Sequence, residues 1–335
     1  MKKEVSSMSN SAETGTVTTP AEVNPLLKRT PWQRFWKNFA RNWQLHLIVL
    51  LPMIYIVLFE YLPFYGLQIA FKDFNSRDGI WGSPWVGLDH FIRFFKDYKW
   101  SRYVLNTLKI SLYQIFLTFP VPIIFALVLH INENKILKKI TQNVSYIPHF
   151  ISLVVMIGML NNLLDPVVGM LGAFSKNFGW DIPNVLLDPD AFIHLYAWSG
   201  TWQNMGWSAI IYVAALSAVP QERHEAAMLD GASRLHRVWY VDLPTIMPTI
   251  TMMFIMAFGG VLSVGYDKIF LMQNNVNLEV SEVISTYVYK QGIGRSQLDY
   301  ATAISLMNSL INMSMMTLMN YIVKFLGDED TQGLF

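Results

Sequence analysis

Six long apolar segments, separated by shorter polar stretches, dominate the pattern of hydrophobic and polar positions along this chain. The hydrocarbon core of a bilayer is about 30 Å thick, so roughly 20 apolar residues are enough to cross it as a helix. Backbone groups in lipid must be satisfied within the segment, which favours helices. The second and third segments lack the polar face of a soluble helix. The predicted spans are residues 45–70, 108–131, 144–164, 191–219, 243–266 and 301–324.

This pattern predicts an all-α integral membrane protein with six transmembrane helices. A β-barrel would instead alternate apolar and polar residues over strands of about 10 positions. Of the 335 residues, 53% are hydrophobic and 15% are charged, which agrees with the membrane class. No apolar stretch follows Met1-Lys2-Lys3, so we expect no cleavable signal. The predicted organisation is a disordered cytoplasmic tail at 1–30, an interfacial amphipathic helix at 31–43, a transmembrane domain at 44–326 and a C-terminal cytoplasmic tail at 327–335.

Lys and Arg residues are distributed unevenly among the polar stretches. Seven precede the first span, and three occur in each of 132–143 and 221–242, whereas 165–190 contains only Lys176. Basic loops stay in the cytosol, so this distribution predicts that both termini are cytoplasmic. The stretch 72–102 argues against that orientation, because it would lie outside and holds six Lys and Arg residues.

The chain shows few of the patterns that accompany catalysis or cofactor binding. It has no cysteine and no phosphate-binding G-x-x-x-x-G-K-[ST] loop. Its seven histidines are scattered, and none is paired at metal-ligand spacing. Charges within the spans are nearly absent, whereas ion-coupled carriers usually need them at the midplane. We therefore expect no catalytic residue, no metal site, no cofactor and no nucleic-acid partner, and an energy source on a partner chain.

A polar island at 220–244 separates the fourth and fifth spans. Acidic residues such as Glu225 favour an early helical turn, and glycine favours the position after a last turn. We therefore predict a short helix that ends at Gly231. The small side chains of Ala226 and Ala227 would let another surface approach closely. On physical grounds alone, docking to a protein and an amphipathic connector lying on the membrane are equally good interpretations.

The island also carries a sequence signature. E-A-A, three residues, G, nine residues, I, one residue and L-P is the motif of permease subunits of bacterial ABC importers. The chain departs from it once, since Val241 replaces Ile, which conserves volume. By this resemblance, about residues 40–325 are similar to binding-protein-dependent transport inner-membrane components. The motif positions, which the resemblance assigns to ATPase coupling, are Glu225, Ala226, Ala227, Gly231, Val241, Leu243 and Pro244.

The resemblance implies a type I ABC importer permease fold in the plasma membrane of a bacterium, surrounded by lipid. The island helix would be a coupling helix held by a cytoplasmic ATPase subunit. The implied partners are a second, homologous permease, two ATPase copies that carry ATP and Mg²⁺, and an extracellular solute-binding lipoprotein. Residues 266–271 and 286–293 resemble in particular the Gram-positive group that takes up complex oligosaccharides.

Polar and aromatic residues within the spans are candidates for a saccharide path. Trp202, Gln203 and Asn204 cluster in the fourth span, and Asn308 and Asn312 share a face of the last. Aromatic faces and amides suit the C–H faces and hydroxyls of a sugar, although Asn also joins helices and Trp also anchors interfaces. Two alternatives remain, namely a permease for a non-sugar solute and a polytopic membrane enzyme. The enzyme would need acids or histidines that converge near a membrane face.

Overall fold

The computed structural model describes residues 31–180 and 183–326. Their regular secondary structure is helical, apart from one isolated antiparallel bridge between Lys72 and Trp85. The predicted tails at 1–30 and 327–335 lie outside the described residues. The α-helices, in chain order, are α1 (Pro31–Arg41), α2 (Trp43–Ile56), α3 (Gly79–Gly82), α4 (Asp89–Lys96), α5 (Trp100–Thr118), α6 (Pro120–Ile131), α7 (Lys135–Tyr146), α8 (Leu153–Leu164), α9 (Met170–Asn177), α10 (Pro189–Ser217), α11 (Gln221–Leu229), α12 (Arg234–Arg237), α13 (Leu243–Gly259), α14 (Tyr266–Met272), α15 (Leu278–Ser281), α16 (Ile284–Tyr289) and α17 (Leu298–Leu326).

The chain divides into two compact units after Tyr65. In the first unit, α1 lies where the sequence predicts an amphipathic helix, and its place at a membrane surface stays a prediction. α2 is apolar on nearly all sides, yet none of its side chains is buried. An apolar helix exposed on every face is typical of a segment surrounded by lipid or by an apolar partner.

Three helical stretches of the described residues are long and apolar enough to cross a membrane, namely Trp43–Phe71, Trp100–Ile131 and Arg234–Gly259. A fourth span is possible if the bent pair Lys135–Phe150 and Leu153–Leu164 counts as one. α10 and α17 are 29 residues long but carry more polar side chains, and they fall outside this group. The helical class is therefore confirmed, whereas the predicted number of six spans is not.

The prediction of one helix over 144–164 is wrong. α7 ends within this segment, a 3₁₀ turn containing Pro148 follows, and α8 starts after Ser152 at an angle of 99°. The Ser152 hydroxyl caps α8 by accepting the N–H of Val155 at 3.4 Å. Hydropathy alone misses this elbow, because a proline and a helix cap interrupt a run that is otherwise apolar.

The elbow is held by α10. The carbonyl oxygen of Ile151, at the corner, accepts a hydrogen bond from Gln203 Nε2 at 2.9 Å. Three residues further along α10, Gly206 lies against the backbone of Ser145 in α7, where an added Cβ would overlap the carbonyl group. Glycine is therefore required here for the close approach of two backbones.

The fifth helical stretch begins before residue 243, where the sequence places its start. α12 continues through a π-helical turn, Val238–Asp242, directly into α13. The Ser233 hydroxyl caps this stretch by accepting the N–H of His236 at 3.3 Å. The second half of the polar island is therefore the beginning of a long helix and not a loop.

In the second unit, α10 packs against α5, α6, α7 and α13. Apolar side chains from α6, α10 and α13 bury one another, and their close packing joins these helices. The cluster consists of Ile123, Ala126, Ala209, Tyr212, Leu216 and Ile246. α10 is thus the central packing element of this unit.

Three of the six basic residues of 72–102, the stretch that opposes the predicted orientation, are engaged in internal contacts. Lys72 is buried and donates to a backbone carbonyl at 2.6 Å. Arg93 lies over an aromatic ring of α17, with its guanidinium carbon 4.3 Å from the ring centre. Arg102 forms an ion pair with Glu282 at 3.0 Å. These contacts give the charges of this stretch a structural role apart from orientation.

Candidate functional site

α11 ends as the sequence predicts. Gly231 follows the helix with a φ of +77°, a conformation that is costly for residues with a side chain. Its N–H donates to the Met228 carbonyl at 3.0 Å, and the N–H of Ala232 donates to the Ala227 carbonyl at 2.9 Å. This pair of bonds is a Schellman cap, which satisfies the last carbonyls of the helix.

Five motif residues converge beside α11. Ala226, Ala227, Val241 and Pro244 line a concavity of ≈ 480 Å³. Gly231 lines an adjoining concavity of ≈ 340 Å³, which shares Ala227 and Val241 with the first. We call the two concavities the α11 groove. The long spacing within the motif is explained by this fold, because the chain turns at Gly231 and returns along α12 to face α11.

The other two motif residues, Glu225 and Leu243, do not line the α11 groove. Glu225 is exposed and accepts a hydrogen bond from Gln221 Nε2 at 3.0 Å. Leu243 is half-buried at the start of α13. No side chain of α11 is buried, and Leu229 at its tip is 89% exposed. An exposed helix with an apolar tip and a groove beside it is typical of a protein-docking surface.

A further cavity, of ≈ 430 Å³, lies between α5, α10 and α13. Its polar groups are hydroxyls and one amide, its apolar groups include two methionines and a phenylalanine, and no charged residue is among those that line it. Such a lining offers hydrogen bonds and apolar contacts together. The lining residues are Ser111, Gln114, Ile115, Thr118, Phe119, Pro122, Ser208, Tyr212, Met253, Met256, Ala257, Gly260, Ser263 and Val264.

None of the five residues predicted to contact solute lines this cavity. In α10, Gln203 donates to the elbow carbonyl, and Asn204 accepts a hydrogen bond from His149 Nδ1 at 2.9 Å. Trp202, in the same helix turn, is half-exposed. The two amides therefore join α10 to the neighbouring elbow, and contact of these three residues with solute stays a prediction.

The two predicted residues of α17 likewise bind protein groups. Asn312 accepts the N–H of Leu262 at 2.9 Å and donates to the Ser263 hydroxyl at 2.7 Å. Asn308 donates to the Leu262 carbonyl at 3.2 Å. Both amides satisfy the backbone just after α13, where helical hydrogen bonds end. Their contact with solute also stays a prediction, whereas Ser208 and Tyr212 of the cavity gave no distinctive sequence signal.

Comparison with known proteins places the chain in a family. Residues 118–327 match the family described as "Binding-protein-dependent transport system inner membrane component". The chain is 36% identical over 310 residues to the polygalacturonan/rhamnogalacturonan transport system permease protein YteP of Bacillus subtilis (strain 168), a match that covers 92% of this chain and 97% of that protein. It is 34% identical over 295 residues to protein LplB of the same strain, covering 88% and 92%.

Two solved structures are similar along nearly the whole chain. One is a bacterial alginate ABC transporter in complex with an alginate pentasaccharide-bound periplasmic protein, with 31% identity, a TM-score of 0.80, and coverage of 90% of this chain and 100% of that one. The other is a bacterial ABC transporter involved in the import of the acidic polysaccharide alginate, with 32% identity, a TM-score of 0.79, and coverage of 88% and 100%. The chain therefore belongs to the binding-protein-dependent transport system inner membrane components, the permease subunits of ABC transporters.

Proposed function

We propose that this chain is the permease subunit of an ATP-driven importer that moves an oligosaccharide or a polysaccharide fragment across the cytoplasmic membrane of a bacterium. In this proposal α11 is the coupling helix, and ATP with Mg²⁺ binds to two partner ATPase subunits. The observation that carries the proposal is the α11 groove, in which the small residues of the motif meet beside a helix without buried side chains.

The groove has a wall on each of two helical stretches. Ala226 and Ala227 belong to α11, whereas Val241 and Pro244 belong to the stretch Arg234–Gly259. A partner that fills the groove therefore contacts both. Because α12 runs into α13 without an intervening loop, a displacement at the groove moves the cytoplasmic start of a long helix, which is stiff along its axis.

The α5–α10–α13 cavity supports a saccharide as the solute. Its hydroxyl and amide groups match sugar hydroxyls, and its methionine and phenylalanine side chains match the apolar C–H faces. The relatives named for polygalacturonan and alginate transport point to the same class of solute. We assign Ser208 and Tyr212 of α10 to solute contact ahead of Trp202, because only the first two line the cavity.

The proposed assembly needs a second, homologous permease and an extracellular solute-binding lipoprotein. α10 and α17 then cross the membrane as well, since 29 residues of helix extend about 44 Å. Their polar side chains would face the interior and neighbouring helices, as such residues do in membrane proteins. Both termini would be cytoplasmic, and the stretches 72–102, 165–190 and 267–300 would face the binding protein.

The relatives favour this function over the two alternatives. YteP is named for sugar polymers and not for another solute, and both solved structures are transporters. A polytopic enzyme is therefore not favoured.

The docking of α11 can be tested by cross-linking. The chain contains no cysteine, so Ala227→Cys introduces the only thiol of this subunit. In the purified assembly, a short bifunctional reagent should link this position to an ATPase subunit. Ser314→Cys, exposed on α17, serves as the matched control and should not react with that subunit. Labelling of Ala227→Cys by a lipid-soluble probe without any cross-link would support the membrane-connector interpretation and refute docking.

A charge reversal tests coupling itself. Glu225→Lys should leave membrane insertion intact but abolish ATP-driven uptake of solute in proteoliposomes, because it reverses the exposed charge of the docking helix. Glu225→Gln removes the charge at nearly constant volume and should lose less uptake. Equal uptake by the wild type and Glu225→Lys would show that this side chain has no part in docking.

A further inference from the structure

Three chemically reactive side chains from separate elements meet on the inner side of α11. His130 is near the end of α6, His224 is in the middle of α11, and Asp242 is the last residue before α13. Nε2 of His224 lies 3.1 Å from Oδ1 of Asp242, and Nε2 of His130 lies 3.5 Å from the same oxygen. These residues are far apart in sequence, so no spacing rule reveals the cluster.

The cluster contains a buried charge that calls for a partner. The Asp242 side chain is 2% exposed, and the two histidines are largely covered. Within the described residues, neither Asp242 Oδ1 nor His224 Nε2 makes a hydrogen bond, although the two atoms lie close together. A buried carboxylate without a hydrogen bond is costly, so the arrangement points to a cation between these atoms.

Two of the three distances between ligand atoms fit a tetrahedral transition-metal ion. The three ligand atoms lie within 4.8 Å of one another. For bonds of about 2.0–2.1 Å, tetrahedral geometry separates neighbouring ligands by about 3.3–3.4 Å, close to the 3.1 and 3.5 Å observed. Imidazole nitrogens together with one carboxylate are ligands that suit Zn²⁺, and they leave a fourth position open.

We propose that His130, His224 and Asp242 form a binding site for a transition-metal ion of the Zn²⁺ class. A cavity of ≈ 220 Å³ adjoins the three residues and has room for a water molecule at the fourth position. Two arginines also line this cavity. Arg234 forms an ion pair with Glu133 at 2.9 Å, so Arg237 is the arginine whose positive charge opposes a metal ion in this cavity.

A bound ion would connect α6, α11 and the beginning of α13 through one centre. Where α11 carries the motion of the ATPase, as the proposed function holds, the metal would restrain that motion and lower transport. This consequence rests on the proposed function, whereas metal binding itself does not. The site also differs from the sequence-based expectation of no metal, which relied on histidine spacing alone.

The test measures metal in the purified assembly after removal of any histidine tag. The complex is loaded with Zn²⁺ and dialysed, and its metal content is compared with that of the double variant His130→Gln, His224→Gln. The proposal expects one more equivalent per permease in the wild type. Loading with Co²⁺ should give the visible absorption of a tetrahedral site, again only in the wild type. His236→Gln, which removes a histidine of α12 outside the cluster, should retain both signals.

Thermal stability provides a second measurement. Zn²⁺ should raise the apparent melting temperature of the wild type and of His236→Gln relative to a chelator, because a ligand of the folded state stabilises it. It should not raise that of the double variant. The site would be overturned if the wild type and the double variant had equal metal content. It would also be overturned if His236→Gln lost as much metal as the double variant does.

Discussion

The contact between α7 and α10 makes a quantitative prediction. A Cβ added to Gly206 would lie 2.6 Å from the carbonyl carbon of Ser145 and 2.7 Å from its hydroxyl oxygen. Backbone atoms cannot rotate away as a side chain can, so α7 must shift in Gly206→Ala. Overpacking of this kind costs about 1–3 kcal/mol. Gly158, on α8, is the matched control, because an added Cβ there meets nothing within 4 Å.

Both substitutions replace a helical glycine by alanine, which stabilises a helix by about 0.5–1 kcal/mol. The difference in the free energy of unfolding between the two variants therefore isolates the cost of the contact with Ser145, at about 1–3 kcal/mol. For a domain of this size, that corresponds to a melting temperature lower by a few degrees in Gly206→Ala. The assay is loss of the monodisperse assembly on heating, at one scan rate for all samples. If the melting temperature of Gly206→Ala equals or exceeds that of Gly158→Ala, the close approach of α7 and α10 is not a structural constraint.

Three further predictions concern other contacts, each checked by the same melting assay. Asn312→Leu leaves the buried N–H of Leu262 without its acceptor and should cost about 1–3 kcal/mol, whereas Ser314→Ala on the same helix should be neutral; equal melting would exclude a role for the amide. Glu282→Gln weakens the ion pairs of this residue with an arginine at 3.0 Å and a lysine at 2.9 Å, so it should lower the melting temperature below that of the wild type. This difference should be smaller at high salt, which screens the ion pairs. Burial lowers the pKa of Lys268 to about 8 from 10.5, so the folded state loses this proton at a lower pH than the unfolded state, and stability should rise with pH between these two values. Lys268→Met should lack this rise, and identical pH profiles of stability for the variant and the wild type would refute the prediction.

The sequence predicts the helical class and the end of α11 because both depend on local signals. Apolar length indicates a membrane helix wherever the segment lies in the fold. Gly231 indicates a helix end because its positive φ is a property of one residue. The family resemblance was equally accessible, since it depends on motif letters at fixed spacing.

Features set by contacts between distant residues could not be predicted. The elbow before α8 depends on Gln203, which in sequence looks like a solute-binding amide but in the structure binds the backbone. In the same way, Asn312 binds the backbone beyond α13. Hydrophobicity and composition do not distinguish an amide that serves a cavity from one that serves a neighbouring helix, because both lie on polar helix faces.

The meeting of His130, His224 and Asp242 belongs to the same class of unpredictable features. Histidine spacing identifies a metal site only when the ligands lie on one turn or one helix. Here the ligands come from three elements, and their proximity follows from the return of the chain along α12. The solute cavity is similar, since Ser208 and Tyr212 line it only because α5 and α13 lie opposite them.

The bond from Gln203 to the Ile151 carbonyl has a consequence for biosynthesis. Its two residues are 52 positions apart, and the acceptor leaves the ribosome first. Until α10 has been synthesised, the carbonyl at the corner has no donor from this helix, and a bilayer interior offers none. Translation that stops before residue 203 therefore leaves a nascent chain whose corner carbonyl lacks this hydrogen bond.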